Sequence, residues 1–250
     1  MNTLFTDIDN TIIYSRNRDI NGEKIVVEYL NGREQGYMTV FSYNYFLNAK
    51  WLNIIPVTSR TEQQYNRLSC MKDFGVKFAI ICNGGKLLVD GKEDKDWSED
   101  NLRMTELYSS DLDFATDYLF HVCGKNTVHD PEPYMRYVKV DNPLQIYGLI
   151  SKKLQNRAVE TWYDSRKVYL FIKGINKGNA IRKVIKRYDM GSTIAAGDDY
   201  MDVSMLNAVD YAIYATRLDS LIDNRNRRAM RGKIISDNIC DELEKIRLNI

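Results

Sequence analysis

The chain has 250 residues, 44% of them apolar, which is enough to bury a full core and to carry a domain plus a subdomain. Its 35 basic and 34 acidic residues leave a formal charge of +1, so no global field recruits nucleic acid or an anionic membrane. No apolar run is long enough to span a bilayer, and the opening Met-Asn-Thr-Leu-Phe-Thr-Asp lacks the charged-then-apolar order of a signal peptide. Cys70, Cys82, Cys123 and Cys240 are scattered without a C-x-x-C pair, which favours reduced thiols and a cytoplasmic location over disulfides or zinc. His121 and His129 are the only histidines and have no neighbouring ligand cluster, so a histidine-based metal site is not expected.

The first predicted strand, residues 3–6, delivers Asp7 and Asp9 to the point where the strand ends. Strand side chains alternate, so both carboxylates face one side, with Ile8 opposite and Asn10-Thr11 opening a turn. Such a pair suits a hard cation and attack on phosphorus, although an isolated D-x-D is more often an ordinary strand and turn. Residues 23–29 and 37–41 read as extended on either side of Asn31-Gly32, a hairpin signal. This hairpin is either a flap over the site or an ornament of the sheet edge. A helix is predicted over residues 43–50, and a second buried strand over 53–57 runs into Thr58-Ser59-Arg60-Thr61. There hydroxyls and a cation suit phosphate oxygens, or simply cap the helix predicted over 62–74.

A third strand, residues 78–82, exits through Asn83-Gly84-Gly85. About 90 residues then separate Asn83 from Gly174, with a hairpin near 87–92, helices over 111–122 and 144–155, and strands near 134–140, 158–163 and 167–173. Gly174-Ile175-Asn176-Lys177-Gly178 carries a lysine into a helix start. Residues 192–196 form a small apolar strand that ends in Gly197-Asp198-Asp199-Tyr200-Met201-Asp202, clustering acids at another strand end. Alternating strands and helices argue for a parallel sheet, in which ligands bind beyond the carboxyl ends of the strands.

Taken together, these segments resemble the signature of the haloacid dehalogenase-like (HAD) phosphatase superfamily: D-x-D-x-[TV], a Ser or Thr at a second strand end, a Lys, and G-D-x-x-x-D. Asp7, Asp9, Thr11, Thr58, Lys177, Asp198 and Asp202 fill it in order. The Asn83-Gly84-Gly85 exit and the insertion after it look like the Cof and sucrose-phosphatase-like type. A weaker resemblance links the hairpin and the Thr-Ser-Arg-Thr run to uncharacterised HAD hydrolases of tellurium-resistance gene clusters. The resemblance implies an α/β fold, a Rossmann-like parallel sheet core with helices on both faces, plus an inserted α+β cap domain. Residues 1–84 and 174–250 are expected to form the core, and 85–173 the cap that sets specificity.

The resemblance also implies roles. Asp7 is the nucleophile, Asp9 the general acid/base, and Thr58 and Lys177 hold the phosphoryl oxygens. Mg²⁺ is bound by Asp7, the Asp9 carbonyl and Asp198, with Asp202 ligating or positioning water. Thr11 braces the turn, and Arg60 pairs with an acid rather than with phosphate. Ser59 stands where many relatives have Gly, and Met201 where they have Asn. The activity implied is Mg²⁺-dependent hydrolysis of a small phosphorylated metabolite, a sugar phosphate among the candidates, through an aspartyl phosphate. The alternatives are a phosphomutase or phosphotransferase using the same intermediate, and a non-catalytic regulatory module. The expected partner is that metabolite, not nucleic acid or membrane, and the expected state is a monomer or weak homodimer. Tyr134, Arg136, Lys139, Lys173 and His129 are the cap residues suited to a polar leaving group.

Overall fold

The structure, a computed structural model, describes residues 2–20, 22–124, 128–164 and 166–248. The chain divides into two compact units: Met1–Lys92 together with Lys177–Ile250, and Glu93–Asn176.

The first unit opens with β1 (Asn2–Thr6), whose Leu4 and Phe5 are fully buried, as expected of a strand paired on both sides. Next, β2 (Tyr14–Ser15), β3 (Lys24–Leu30) and β4 (Arg33–Thr39) form an antiparallel sheet in the order β2-β4-β3. Asn31 and Gly32 both take positive φ, the conformation an Asn-Gly hairpin turn requires. Residues 40–41 leave the extended pattern earlier than the sequence suggests. The Thr39 hydroxyl accepts the Ser42 N–H and starts α1 (Val40–Asn48) there.

After β5 (Leu52–Pro56), the helix expected over 62–74 is broken into α2 (Glu62–Tyr65) and α3 (Cys70–Asp73). A Thr61–Gln64 capping box opens the first piece. The break has a tertiary cause: the Ser69 N–H donates to the Val27 carbonyl at 3.0 Å and Leu68 bridges Glu28, so the backbone there serves β3. Further on, β6 (Phe78–Ile81), β7 (Lys86–Val89) and β8 (Lys92–Glu93) form a small antiparallel sheet. Because β7 pairs with β6, residues 85–92 fall in the first unit, beyond the 84/85 boundary drawn from sequence.

The second unit holds α4 (Lys95–Leu107), α5 (Ser109–Cys123), β9 (Val128–Glu132), β10 (Met135–Lys139), α6 (Pro143–Lys153), β11 (Val159–Tyr163) and β12 (Lys167–Ile172). Its antiparallel sheet runs β11-β12-β10-β9. Against it pack α5 and α6, burying Leu112, Ala115, Leu119 and Ile150. The Asn142 side chain caps α6 with Pro143 at its first position.

The first unit resumes with α7 (Lys177–Tyr188), β13 (Thr193–Gly197), α8 (Val203–Leu206), β14 (Tyr211–Ala215), β15 (Arg227–Met230) and α9 (Ser236–Leu248). Five parallel strands, ordered β15-β14-β13-β1-β5, make the central sheet, flanked by helices. Register places Thr6 beside Ala196 on one side and Pro56 on the other. Asp7, Thr58 and Asp198 therefore leave the sheet along the same edge. Among the described residues, no helix is long and apolar enough to cross a membrane.

Candidate active site

Three strand ends and one helix start supply the site. Asp7 follows β1 with its N–H bound to the Ala196 carbonyl at 2.8 Å, which fixes its backbone against β13. Lys177 is the first residue of α7 and is buried; its Nζ donates to Asp7 Oδ1 at 2.5 Å and to Asp202 Oδ1 at 2.6 Å. The remaining oxygen of Asp202, Oδ2, accepts the N–H groups of Asp198 and Asp199, both at 2.9 Å. Thr11 bridges, its Oγ1 lying 3.2 Å from Asp7 Oδ2 and 3.2 Å from Asp198 Oδ1.

This packing depends on two glycines. A Cβ on Gly178 would fall 2.3 Å from the Ser204 carbonyl oxygen, and one on Gly197 would fall 2.6 Å from Asp202 Cβ. Neither contact is sterically possible, so α7 and the 200–202 turn sit where only a glycine lets the backbones approach.

Electrostatics follow from crowding. Burial, then the neighbouring Asp202 and Asp198 carboxylates, push Asp7 up, against the pull of Lys177. Burial likewise raises Asp198 to about 7, with Asp202 adding to it and Arg217 opposing. Burial alone would lower Lys177, but Asp202 and Asp7 outweigh it and hold the ammonium charged. One carboxylate oxygen from each of Asp7, Asp198 and Asp202 lies within 4.8 Å of the others. An all-oxygen donor set with surplus negative charge is what a hard divalent cation such as Mg²⁺ takes, so the residues fit that ion.

Asp9 stands apart from this cluster. Its carboxylate turns toward Arg60, with Oδ2 2.9 Å from Nε and Oδ1 2.8 Å from Nη2. That is the acid partner the sequence reading gave Arg60. Of Asp7, Asp9, Asp198 and Asp202, all expected around the metal, only Asp9 contributes no side-chain oxygen to the group; its expected ligand was the main-chain carbonyl. Thr58 is buried at the end of β5's extension, where its hydroxyl accepts the Arg60 N–H at 3.2 Å.

Two participants escaped the sequence reading. Arg217, just past β14, donates from Nη2 to Asp198 Oδ2 at 2.7 Å and from Nε to the Asp198 carbonyl at 2.7 Å. Its signal was available: Ala215-Thr216-Arg217 also follows a buried parallel strand. Glu28 pairs with both Arg60 and Arg67, and nothing in its local sequence marks it. In the second unit, Tyr134 is buried and Arg136 donates to the Glu132, Pro133 and Met135 carbonyls.

Residues 126–217 match the profile of the haloacid dehalogenase-like hydrolases. No curated protein sequence matches the chain. Among solved structures, the fold is similar to the sucrose-phosphatase of Synechocystis, determined with sucrose and phosphate, at TM-score 0.66 and 14% identity over 98% of this chain and 97% of that one. A HAD subclass IIB sugar phosphatase aligns at TM-score 0.63 and 15% identity, over 98% and 99% of the two chains. A trehalose-6-phosphate phosphatase related protein aligns at 0.56 and 18%, covering 99% of each. At such identities the likeness is one of fold. Residues 126–217 thus carry the profile of the haloacid dehalogenase-like hydrolases, and the chain as a whole shares the fold of these solved phosphatases.

Proposed function

We propose that the chain is a Mg²⁺-dependent phosphatase that hydrolyses a small phosphorylated metabolite, with sugar phosphates the first class to test. The observation that carries this reading is Lys177 bridging Asp7 and Asp202 beside Asp198, at the carboxyl edge of a parallel sheet. Sugar phosphates lead because fold neighbours include a sucrose-phosphatase and a sugar phosphatase.

Phosphate monoesters hydrolyse extremely slowly unaided, so stabilising charge on the transferring group dominates the catalytic demand. Asp7 attacks phosphorus in line, forming an aspartyl phosphate as the ester oxygen leaves. Lys177 keeps the Asp7 carboxylate oriented before attack and neutralises phosphoryl oxygens after it. Asp9 gives a proton to the leaving oxygen and then takes one from the water that cleaves the acyl phosphate, a role worth ~10²–10⁴ in rate. Thr58 offers its hydroxyl to a phosphoryl oxygen. Asp7, Asp198 and Asp202 would hold the metal, which supplies Lewis-acid neutralisation of charge when bound. The inserted unit, residues 93–176, is assigned the choice of leaving group, since none of the motif residues lies in it.

A panel of phosphorylated metabolites assayed with Mg²⁺ tests the reading. Phosphate release that disappears with excess chelator and in Asp7→Asn is expected. Full turnover by Asp7→Asn, or with excess EDTA, would overturn it.

A further inference from the structure

Glu28 lies on β3, in a hairpin that carries no motif residue, yet its side chain is only 5% exposed and is shared between two guanidinium groups. Oε2 is 2.9 Å from Arg60 Nη2, and Oε1 is 2.8 Å from Arg67 Nη2. The backbone is irregular around this one residue. The pairing of β3 with β4 shifts register between Val26 and Glu28 and again between Glu28 and Tyr29. Bulges of this kind re-aim a side chain at a cost to the ladder. Opposite, Gly36 leaves room: a Cβ there would lie 3.1 Å from Glu28 Oε2 and 3.1 Å from Ile13 Cγ2. Leu68 bridges the backbone of Glu28 and interrupts the helix that the local sequence favours.

The far edge of the same Arg60 guanidinium holds Asp9 in a two-point contact. Exposure differs along this chain of three: the Asp9 side chain is 51% exposed, Arg60 12% and Glu28 5%. A half-exposed carboxylate has several rotamers available, whereas proton transfer to a leaving oxygen requires one, held to within a fraction of an ångström. The buried end of the three is the more confined one.

We propose that Glu28 is a positioning residue for Asp9, acting through Arg60, so that the β3–β4 hairpin belongs to the reaction apparatus; this rests on the phosphatase reading above. Glu28 fixes the guanidinium, and the guanidinium holds the Asp9 side chain in one rotamer. A role in anchoring the hairpin alone would run equally through Arg67, which touches Glu28 but not Asp9.

Single-turnover phosphorylation of Glu28→Ala, Glu28→Gln and Arg67→Ala, with an alkyl phosphate and with p-nitrophenyl phosphate, separates the two. In Glu28→Ala the alkyl rate is expected to fall at least ~10-fold with KM little changed, while the nitrophenyl rate, which needs little proton donation, stays within about threefold. Glu28→Gln, which keeps an acceptor for Arg60, should recover part of the alkyl rate, and it remains informative if the alanine variant folds poorly. Arg67→Ala should not discriminate between the substrates. Equal losses on both substrates in Glu28→Ala and Glu28→Gln, or the same selective loss in Arg67→Ala, would overturn the proposal. A crystal structure of Glu28→Ala reads it without turnover: Asp9 should leave its two-point contact, and an unmoved Asp9–Arg60 pair in that variant would overturn it. If the wild type releases phosphate from no substrate, the phosphatase reading falls, while the crystallographic result still decides whether Glu28 orders Asp9.

Discussion

Lys177 and Asp7 are joined at 2.5 Å although 170 positions separate them, and the same ammonium reaches Asp202 at 2.6 Å. One buried cation thus serves two buried carboxylates, so its removal takes the countercharge from both. Lys177→Met should eliminate turnover and destabilise the fold by ~3–5 kcal/mol, the usual result of breaking a buried pair. Denaturant unfolding measures this, and Mg²⁺ should restore part of the loss. An unchanged midpoint would remove Lys177 from the bridging role.

Asp9→Asn should slow phosphorylation of Asp7 strongly for alkyl phosphates and much less for p-nitrophenyl phosphate, because a weakly basic leaving group needs little proton donation. Rapid-quench measurement of the first turnover reports that step. Equal losses for the two substrates would take the acid role away from Asp9.

The raised Asp198 carboxyl makes the metal-free fold sensitive to pH. Its folded value of about 7 lies above the ordinary carboxylate value, so the folded state binds the proton more readily than the unfolded chain does. Its contribution to stability is fully present in acid and is lost as pH rises through about 7. In EDTA, the melting temperature should therefore be lower at pH 8 than at pH 6. Mg²⁺ should raise it more at the higher pH, where the carboxylates are ionised. A Mg²⁺ increment that shrinks with rising pH would contradict the three-carboxylate site.

Gly178→Ala places a methyl group against the Ser204 carbonyl, where the Cβ would be at 2.3 Å. The start of α7 must shift, and Lys177 with it. A stability loss of ~1–3 kcal/mol is expected from the overpacking, with a larger proportional loss of activity than of folded protein. Circular dichroism melts alongside phosphate release check this pair of effects.

That Asp7, Thr58 and Asp198 share one edge was legible in the sequence because a parallel sheet carries every strand's carboxyl end to the same side. Short apolar runs followed by acids or hydroxyls therefore report spatial neighbours. The residues that escaped, Arg217 and Glu28, act through tertiary contacts their own neighbourhoods do not encode: Arg217 reaches back 19 positions to Asp198, and Glu28 reaches across 32 to Arg60. The helix expected over 62–74 failed for the same reason, since Ser69 gives its N–H to Val27. In the inserted unit, α4 is mostly polar and β9 contains Pro131, so neither presents the periodicity that marks its type.

The pairing of β1 with β13, Thr3 beside Thr193, bears on how the molecule comes into being. The strand that leads into Asp7 lies between β13 and the edge strand β5, with its inner partner, β13, encoded about 190 positions later. During synthesis β1 meets β5 early but stays open along its other edge until most of the chain has emerged. Closing so distant a pairing is slow, and an apolar edge left open is prone to aggregation. Residues 93–176, which form a compact unit within that interval, have their own partners close at hand, so they are expected to fold before the site that brackets them is complete.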